Sequence, residues 1–321
     1  MTEAENRLDI AVILPCHNEE AAIAGVISEF RAALPGARIY VFDNVSTDGT
    51  ARAAAAAGAH VRAETLKGKG NALRRAFADI NADIFVIADG DGTYDAASAP
   101  KMIETMLADT LDMVVGVRAH KEDAAYRPGH VFGNRAFSFL FRRFFRAEYT
   151  DVLSGYRVLS RRFVKSFPSV SRGFEIETEV SAHAAYLRLP VKEVVIRYSA
   201  RADGGESKLN TVWDGLQILR RMLTFLRLYR PLVVFGAISG LGALFSIVLA
   251  IPLLEEYLRT GLVPRFPTAI LSASAMLAAL IVFVVGVILD TQARYFAERK
   301  RLSYLTYPPP PAAGARVSAA D

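Results

Sequence analysis

Between Pro231 and Leu254, and again between Phe266 and Leu289, the chain carries no charged residue. At about 1.5 Å per helical residue each window would reach about 36 Å, more than the roughly 30 Å of a bilayer's hydrocarbon core. Backbone in lipid must satisfy its polar groups internally, so windows of this kind are expected to span as helices. A pair of long buried core helices is the alternative. A lipid-embedded portion also accounts for a hydrophobic content of 52% and a mean hydropathy of +0.24, high for a wholly soluble chain.

The net charge of +5 and pI near 9.3 could point to nucleic acid, but the placement of the basic residues argues otherwise. Arg220, Arg221, Arg227 and Arg230 precede the first window, and Arg294, Arg299, Lys300 and Arg301 follow the second. The connecting loop balances Glu255 and Glu256 against Arg259 and Arg265. By the positive-inside rule both termini are cytoplasmic, anionic headgroups are the partner, and nucleic acid is not. The opening MTEAENRLDIAVILP has no basic segment ahead of an apolar one, so no cleaved signal peptide is expected. A single cysteine, Cys16, rules out an intramolecular disulfide.

Residues 9–118 alternate β-branched runs (DIAVILP, ARIYVFDN, DIFVIADGD, DMVVGVR) with helical patterns. That alternation predicts an α/β domain with a mostly parallel sheet, whose ligands bind outside the carboxyl ends of the strands. Residues 131–188 read as more helical, with the loop YTDVLSGYR inside, and VKEVVIRYS reads as one further strand. The expected organisation is a catalytic domain over 1–210, an amphipathic juxtamembrane helix over 211–230, spans at 231–254 and 266–289 joined by a non-cytoplasmic loop at 255–265, and a cytoplasmic tail over 290–321. The amphipathic stretch repeats Trp213, Leu216, Leu219, Leu223 and Leu226 at three- and four-residue steps, which suits the membrane interface; a domain-packing helix is the alternative.

The apolar strand at Val86 runs into three carboxylates, Asp89, Asp91 and Asp95. Residues two apart in an extended chain point to the same side, so Asp89 and Asp91 can share one hard divalent cation, Mg²⁺ or Mn²⁺, completed by substrate phosphates. A solvated Asp-Gly turn is the competing explanation. The glycine-flanked GKGNALRR lacks the Walker spacing and reads as a loop entering a helix. No GxGxxG follows the first strand, and the five histidines show no metal-ligand spacing.

VILPCHNEE, DNVSTDGT, KGKGNALRRAF, ADGDGTYD, VVGVR, TDVLSGYR, FEIETE and RADGGESKL occur in that order. In this series the chain resembles the family 2 glycosyltransferases of the dolichyl-phosphate mannose synthase and bacterial polyprenyl-phosphate glycosyltransferase type, over roughly residues 8–210. The resemblance implies a GT-A (nucleotide-diphospho-sugar transferase) fold, inverting sugar transfer from a nucleotide diphosphate sugar to a polyprenyl phosphate, and a homo-oligomer, a tetramer. It places Pro15, Asn18, Glu19, Asp43, Asp89, Gly90 and Asp91 on the donor, with Asp89 and Asp91 at the metal. Thr93 stands where mannose synthases often carry Gln as a further metal contact, which leaves the third ligand and the nucleobase open, with UDP set ahead of GDP.

The chemistry of a phosphate acceptor sets the remaining candidates. A phosphate monoester is largely anionic near neutral pH, so it needs cationic positioning more than a general base. Arg118, Arg135, Arg157, Arg201 and Lys208 lie in or beside the motifs, with Ser154 and Ser207 as hydroxyl donors; a surface charge is the alternative for each arginine. Asp151, Glu175, Glu177 and Glu179 are placed to orient these arginines or the sugar hydroxyls, with Asp91, Arg118, Asp151 and Arg135 as the catalytic set. The catalytic domain is expected at the inner membrane. Two other functions stay open: a processive polysaccharide synthase, which would carry QxxRW, and a non-catalytic binding module.

Overall fold

The computed structural model describes residues 7–118, 139, 141–143, 149–168, 176–198, 223–224, 226–310 and 316–317. They fall into two units, Met1–Asp214 with Lys300–Asp321, and Gly215–Arg299. In the first unit the strands are β1 Arg7–Leu8, β2 Ile10–Cys16, β3 Arg38–Asp43, β4 His60–Ala63, β5 Ile84–Ile87, β6 Met113–Arg118, β7 Arg157–Ser160, β8 Val191–Ile196 and β9 Arg316–Val317, and the short helices α2 Thr50–Ala56 and α5 Arg161–Ser166 stand among those described below. Seven of them form one sheet in the order β4-β3-β2-β5-β7-β6-β8. All pairings in it are parallel except those of β7, which runs antiparallel between β5 and β6.

The interior strand β2 is buried along its whole length, as a parallel strand covered on both faces must be. Alternate residues of it serve two layers. Ile10, Val12 and Leu14 join a core with Ile23, Ile27 and Phe30 of α1 (Glu20–Ala33) and Met102, Ile103 and Met106 of α4 (Ala99–Ala108). Against the sheet on another side Phe77, from α3 (Lys69–Asp79), meets Phe85 and Phe167 edge-on. The strand order reverses direction beside β2, with β3 on one flank and β5 on the other, and ligands of open α/β sheets bind at such a point.

Strand β7 lies within the stretch that its sequence pattern assigned mainly to helices. Its four residues are all buried, so no polar alternation marks it. Its antiparallel direction brings the loop before it, Ser154–Tyr156, to the carboxyl ends of its neighbours. Asp95, the third carboxylate after the Val86 strand, caps the short 3₁₀ turn Ala96–Ser98 by accepting from Ala97 N.

A second finding concerns Lys300–Asp321, which belongs with the catalytic unit rather than standing as a separate tail. Asp112, fully buried, accepts two bonds from Arg162, one from Ser160 and one from the Tyr304 hydroxyl at 2.7 Å. The Arg162 guanidinium also stacks on the Tyr304 ring, 4.6 Å from its centroid. β9 pairs in parallel with β1.

The second unit holds the helix α7 Pro231–Thr260 and, up to Arg299, the helix α8 Phe266–Leu305, and both helices extend past the uncharged windows. Both are long and apolar enough to cross a membrane. They form an antiparallel hairpin along a seam of small residues. Ser239 donates to Ala279 O, Ser246 and Ser272 each donate to the other's carbonyl, and Gly242 faces Ala279. Small residues let two backbones approach and hydrogen-bond where lipid offers no partner. Gly261, in the left-handed conformation, ends α7. Most of the amphipathic stretch, Trp213 included, lies outside the described residues.

Candidate active site

The carboxyl ends of β2, β3 and β5 bring together Cys16, Asp43 and Asp89. Asn18, in the left-handed region at φ 59°, accepts from Thr47 N at 2.8 Å through its side chain, while its own N–H donates to Ser46. Glu19 N donates to Thr50, so the loop after β2 and the loop after β3 are tied as one wall. Asn44 fastens a third segment: its Oδ1 accepts from Gly68 N and its Nδ2 donates to Leu66 O. Pro15 pairs in register with Phe42, one residue before Asp43. Asp43 Oδ1 is buried and has no hydrogen-bond partner among the described residues.

Asp91 is pre-set by a turn of its own, its Oδ1 accepting from Thr93 N at 3.1 Å and Thr93 Oγ1 at 2.7 Å. Thr93 is buried, so its hydroxyl supports Asp91. Gly90 packs so closely on Cys16 that a methyl group there would collide with Sγ. The Cys16 thiol is pushed well above its ordinary value, first by burial and then by the nearby carboxylates Glu19, Asp89, Asp43 and Asp91.

Sequence reasoning assigned Lys69 no role. It is the first residue of α3, after Gly68 at φ 130°, and it aims a buried ammonium at two carboxylates. Lys69 Nζ lies 2.5 Å from Asp89 Oδ1 and 2.5 Å from Glu177 Oε1, in the first turn of α6 (Ile176–Leu187). Burial opposes its charge, yet Asp89 and Glu177 outweigh that and raise its pKa. Burial in turn raises the pKa of Glu177, against the pull of Lys69. Gly155 closes over this group: a methyl there would lie 2.9 Å from Asp89 Oδ2 and 3.0 Å from Lys69 Nζ. A lysine between two glycines at a helix start was the available signal, but its partners lie on segments far along the chain.

Beyond β6, Arg118 grips Asp151 with two parallel bonds of 2.7 Å and lies over the Tyr198 ring. Other candidates are enclosed. Arg157 is buried, donating to Ser154 O, Val152 O and Ser181 Oγ, and burial lowers its pKa. Ser154 donates to Gly116 O. Both residues therefore shape the loop around Gly155 instead of facing an incoming phosphate. Glu179 is buried, with Lys300 as an electrostatic neighbour. Arg135, Glu175, Arg201, Ser207 and Lys208 lie outside the described residues.

Lys69 is held between Asp89 and Glu177, while Asp43 and Asp91 join Asp89 around Cys16, so among the described residues the acidic groups at this centre outnumber its ammonium. A diphosphate would be repelled there unless a cation came too. The donor set, two carboxylates at a strand end with one already oriented, fits a hard divalent cation that keeps water and phosphate oxygens as its other ligands.

Residues 11–167 match the family described as Glycosyl transferase family 2. The chain is 34% identical to glycosyltransferase AglJ of Haloferax volcanii over 293 residues, 88% of this chain and 92% of that one. It is 28% identical to a dolichyl-phosphate hexose transferase of the same organism over 210 residues, 65% of this chain and 90% of that one. Among solved structures, glucosyl-3-phosphoglycerate synthase from Mycobacterium tuberculosis, in complex with Mn²⁺, UDP and glucosyl-3-phosphoglycerate, superposes with a TM-score of 0.55 at 26% identity, covering 68% of this chain and 79% of that one.

Proposed function

On the premise that this chain belongs to glycosyl transferase family 2 and is a hexosyltransferase, we propose that it moves one sugar, with inversion, from a nucleotide diphosphate sugar to a polyprenyl phosphate. The observation that carries the acceptor is the presence, in one chain, of this site and a hairpin apolar enough to cross a membrane. A polyprenyl phosphate keeps its tail in lipid and offers only its headgroup, so the enzyme must be held at the surface. Phosphoglyceric acid, bound with Mn²⁺ and UDP in another complex of the M. tuberculosis synthase, has no lipid tail. The printed name of the dolichyl-phosphate hexose transferase supports the same acceptor class.

On this reading the unpartnered Asp43 Oδ1 takes a donor from the nucleobase, and the loops tied by Asn18 and Asn44 enclose the nucleoside. Lys69 places a fixed positive charge beside the diphosphate. Asp89 and Asp91 would hold Mg²⁺ or Mn²⁺, which when bound neutralises charge on the leaving diphosphate. Arg118, locked in orientation by Asp151, faces the acceptor phosphate; Arg135, Arg201, Ser207 and Lys208 join it by resemblance. Because the acceptor arrives already charged, alignment and electrostatics do most of the work. UDP is set ahead of GDP, and the flanking arginines put both termini on the cytoplasmic side.

The full-length protein in detergent, given labelled UDP- or GDP-sugar, should release nucleoside diphosphate only when undecaprenyl phosphate is added. EDTA should silence it, and Asp91→Asn should lose nearly all turnover while staying folded, since the amide Oδ1 can still accept the two bonds from Thr93. Equal release without the lipid, or full activity in metal-free buffer, would refute the proposal.

A further inference from the structure

Resting on the donor pocket just described, we propose that Glu177 is a positioning residue for the donor: it retains the Lys69 ammonium when Asp89 turns to the incoming cation and diphosphate. The three groups differ in exposure. The side chains of Lys69 and Glu177 are 8% and 9% exposed, whereas that of Asp89 is 29% exposed. A ligand arriving from solvent therefore meets Asp89 first, and Lys69 is left with Glu177 behind it.

Among the described residues lining the small cavity here, Glu177 is the one carboxylate. Leu73, Ile87, Ile176 and Val180 form its apolar wall and Arg157 adds a buried guanidinium of the same sign as Lys69, so an ammonium released by both carboxylates would face apolar surface and a like charge. Glu177 Oε2 is itself buried without a hydrogen-bond partner among the described residues. A carboxylate kept in that condition, where a neutral side chain would fill the space, points to a need for its charge. Lysine has three N–H donors; the two carboxylates engage two, and the third is left for a phosphate oxygen. Glu177 thus acts through Lys69 on the donor, and not on the acceptor or the sugar hydroxyls.

A double-mutant cycle on the full-length protein in detergent tests this, with UDP or GDP plus Mn²⁺ as the calorimetric probe and transfer kinetics alongside. Glu177→Gln keeps the size and removes the charge, so nucleotide affinity should fall about 10- to 100-fold, as for a lost charged hydrogen bond. The donor KM should rise with it, and the acceptor KM should not move. In a Lys69→Met background, Glu177→Gln should weaken nucleotide binding no further, because the residue it acts through is gone. Glu177→Asp should recover part of the affinity, and it carries the same test if the glutamine variant does not fold. Unchanged affinity in Glu177→Gln, losses that multiply with those of Lys69→Met, or a rise in the acceptor KM alone would each overturn the role of Glu177. Failure of the wild type to bind either nucleotide would instead overturn the donor pocket itself.

Discussion

Gly155→Ala probes the centre by adding a single methyl group. Gly155 is not among the residues of positive φ, so alanine meets no backbone penalty and the effect is steric alone. The new Cβ would lie 2.9 Å from Asp89 Oδ2, 3.0 Å from Lys69 Nζ and 3.3 Å from Tyr94 Oη, where ordinary contact begins at 3.4 Å. Asp89 and Lys69 must each retreat by about 0.5 Å, and Lys69 has Glu177 at its back. Overpacking of this kind costs about 1–3 kcal/mol of stability. A 1 Å misplacement of reacting groups can cost about 100-fold in rate, so about half that shift should lower kcat/KM by roughly tenfold or more. Gly25→Ala in α1 is the control: nothing lies within 4 Å, and removing a mid-helix glycine should stabilise by about 0.5–1 kcal/mol with activity unchanged. Sugar transfer and thermal unfolding, measured together in one detergent, give both numbers. If Gly155→Ala transfers sugar as fast as Gly25→Ala, the close packing of Gly155 on Asp89 and Lys69 is not a feature of the working site.

Tyr304→Phe removes a hydrogen bond to the buried Asp112 carboxylate and should lower stability by about 1.5–3 kcal/mol in urea titration, with the transfer rate of the folded fraction unchanged; a variant as stable as wild type would place Tyr304 outside the folded core. His183, packed between Phe163 and Phe167, has its pKa lowered to about 3, chiefly by burial and secondly by Lys300. The unfolded chain takes up a proton near pH 6.5 that the native ring refuses, so stability should fall as pH drops from about 6.5 towards 3, by about 1.4 kcal/mol per unit. His183→Leu should flatten that slope, and parallel urea midpoints for wild type and variant at pH 7.5, 5.5 and 4.5 would contradict it.

Features with a local signature were legible in the sequence. Strands β2, β3, β5 and β6, the acid pair Asp89 and Asp91, and the two apolar helices each follow from periodicity or composition within a short window, whereas the short, largely exposed edge strand β4 has no such signal. What escaped depends on pairing across distance. Lys69 acquires its meaning from Glu177, 108 residues away, and Asp112 from Tyr304, 192 residues away. β7 was hidden because a fully buried four-residue strand shows no alternation. Arg157 and Ser154 belong to a motif and carry suitable chemistry, yet burial turns their donors onto backbone carbonyls. Exposure, the property that would have separated them from Arg118, is set by tertiary packing.

The return of the chain to the catalytic unit at Lys300 makes the apolar hairpin an insertion within a discontinuous domain. A stop codon ahead of Pro231 would discard more than the apolar hairpin. It would strip Tyr304 from Asp112, Lys300 from the neighbourhood of Glu179 and His183, and β9 from β1. A loss of activity after such a truncation would confound detachment from lipid with damage to the core. The cleaner operation is excision, a flexible linker joining Asp214 to Lys300, which keeps both halves of the domain in one polypeptide. Only in that variant does weakened transfer to a long-chain acceptor, with nucleotide binding intact, report on the anchor alone.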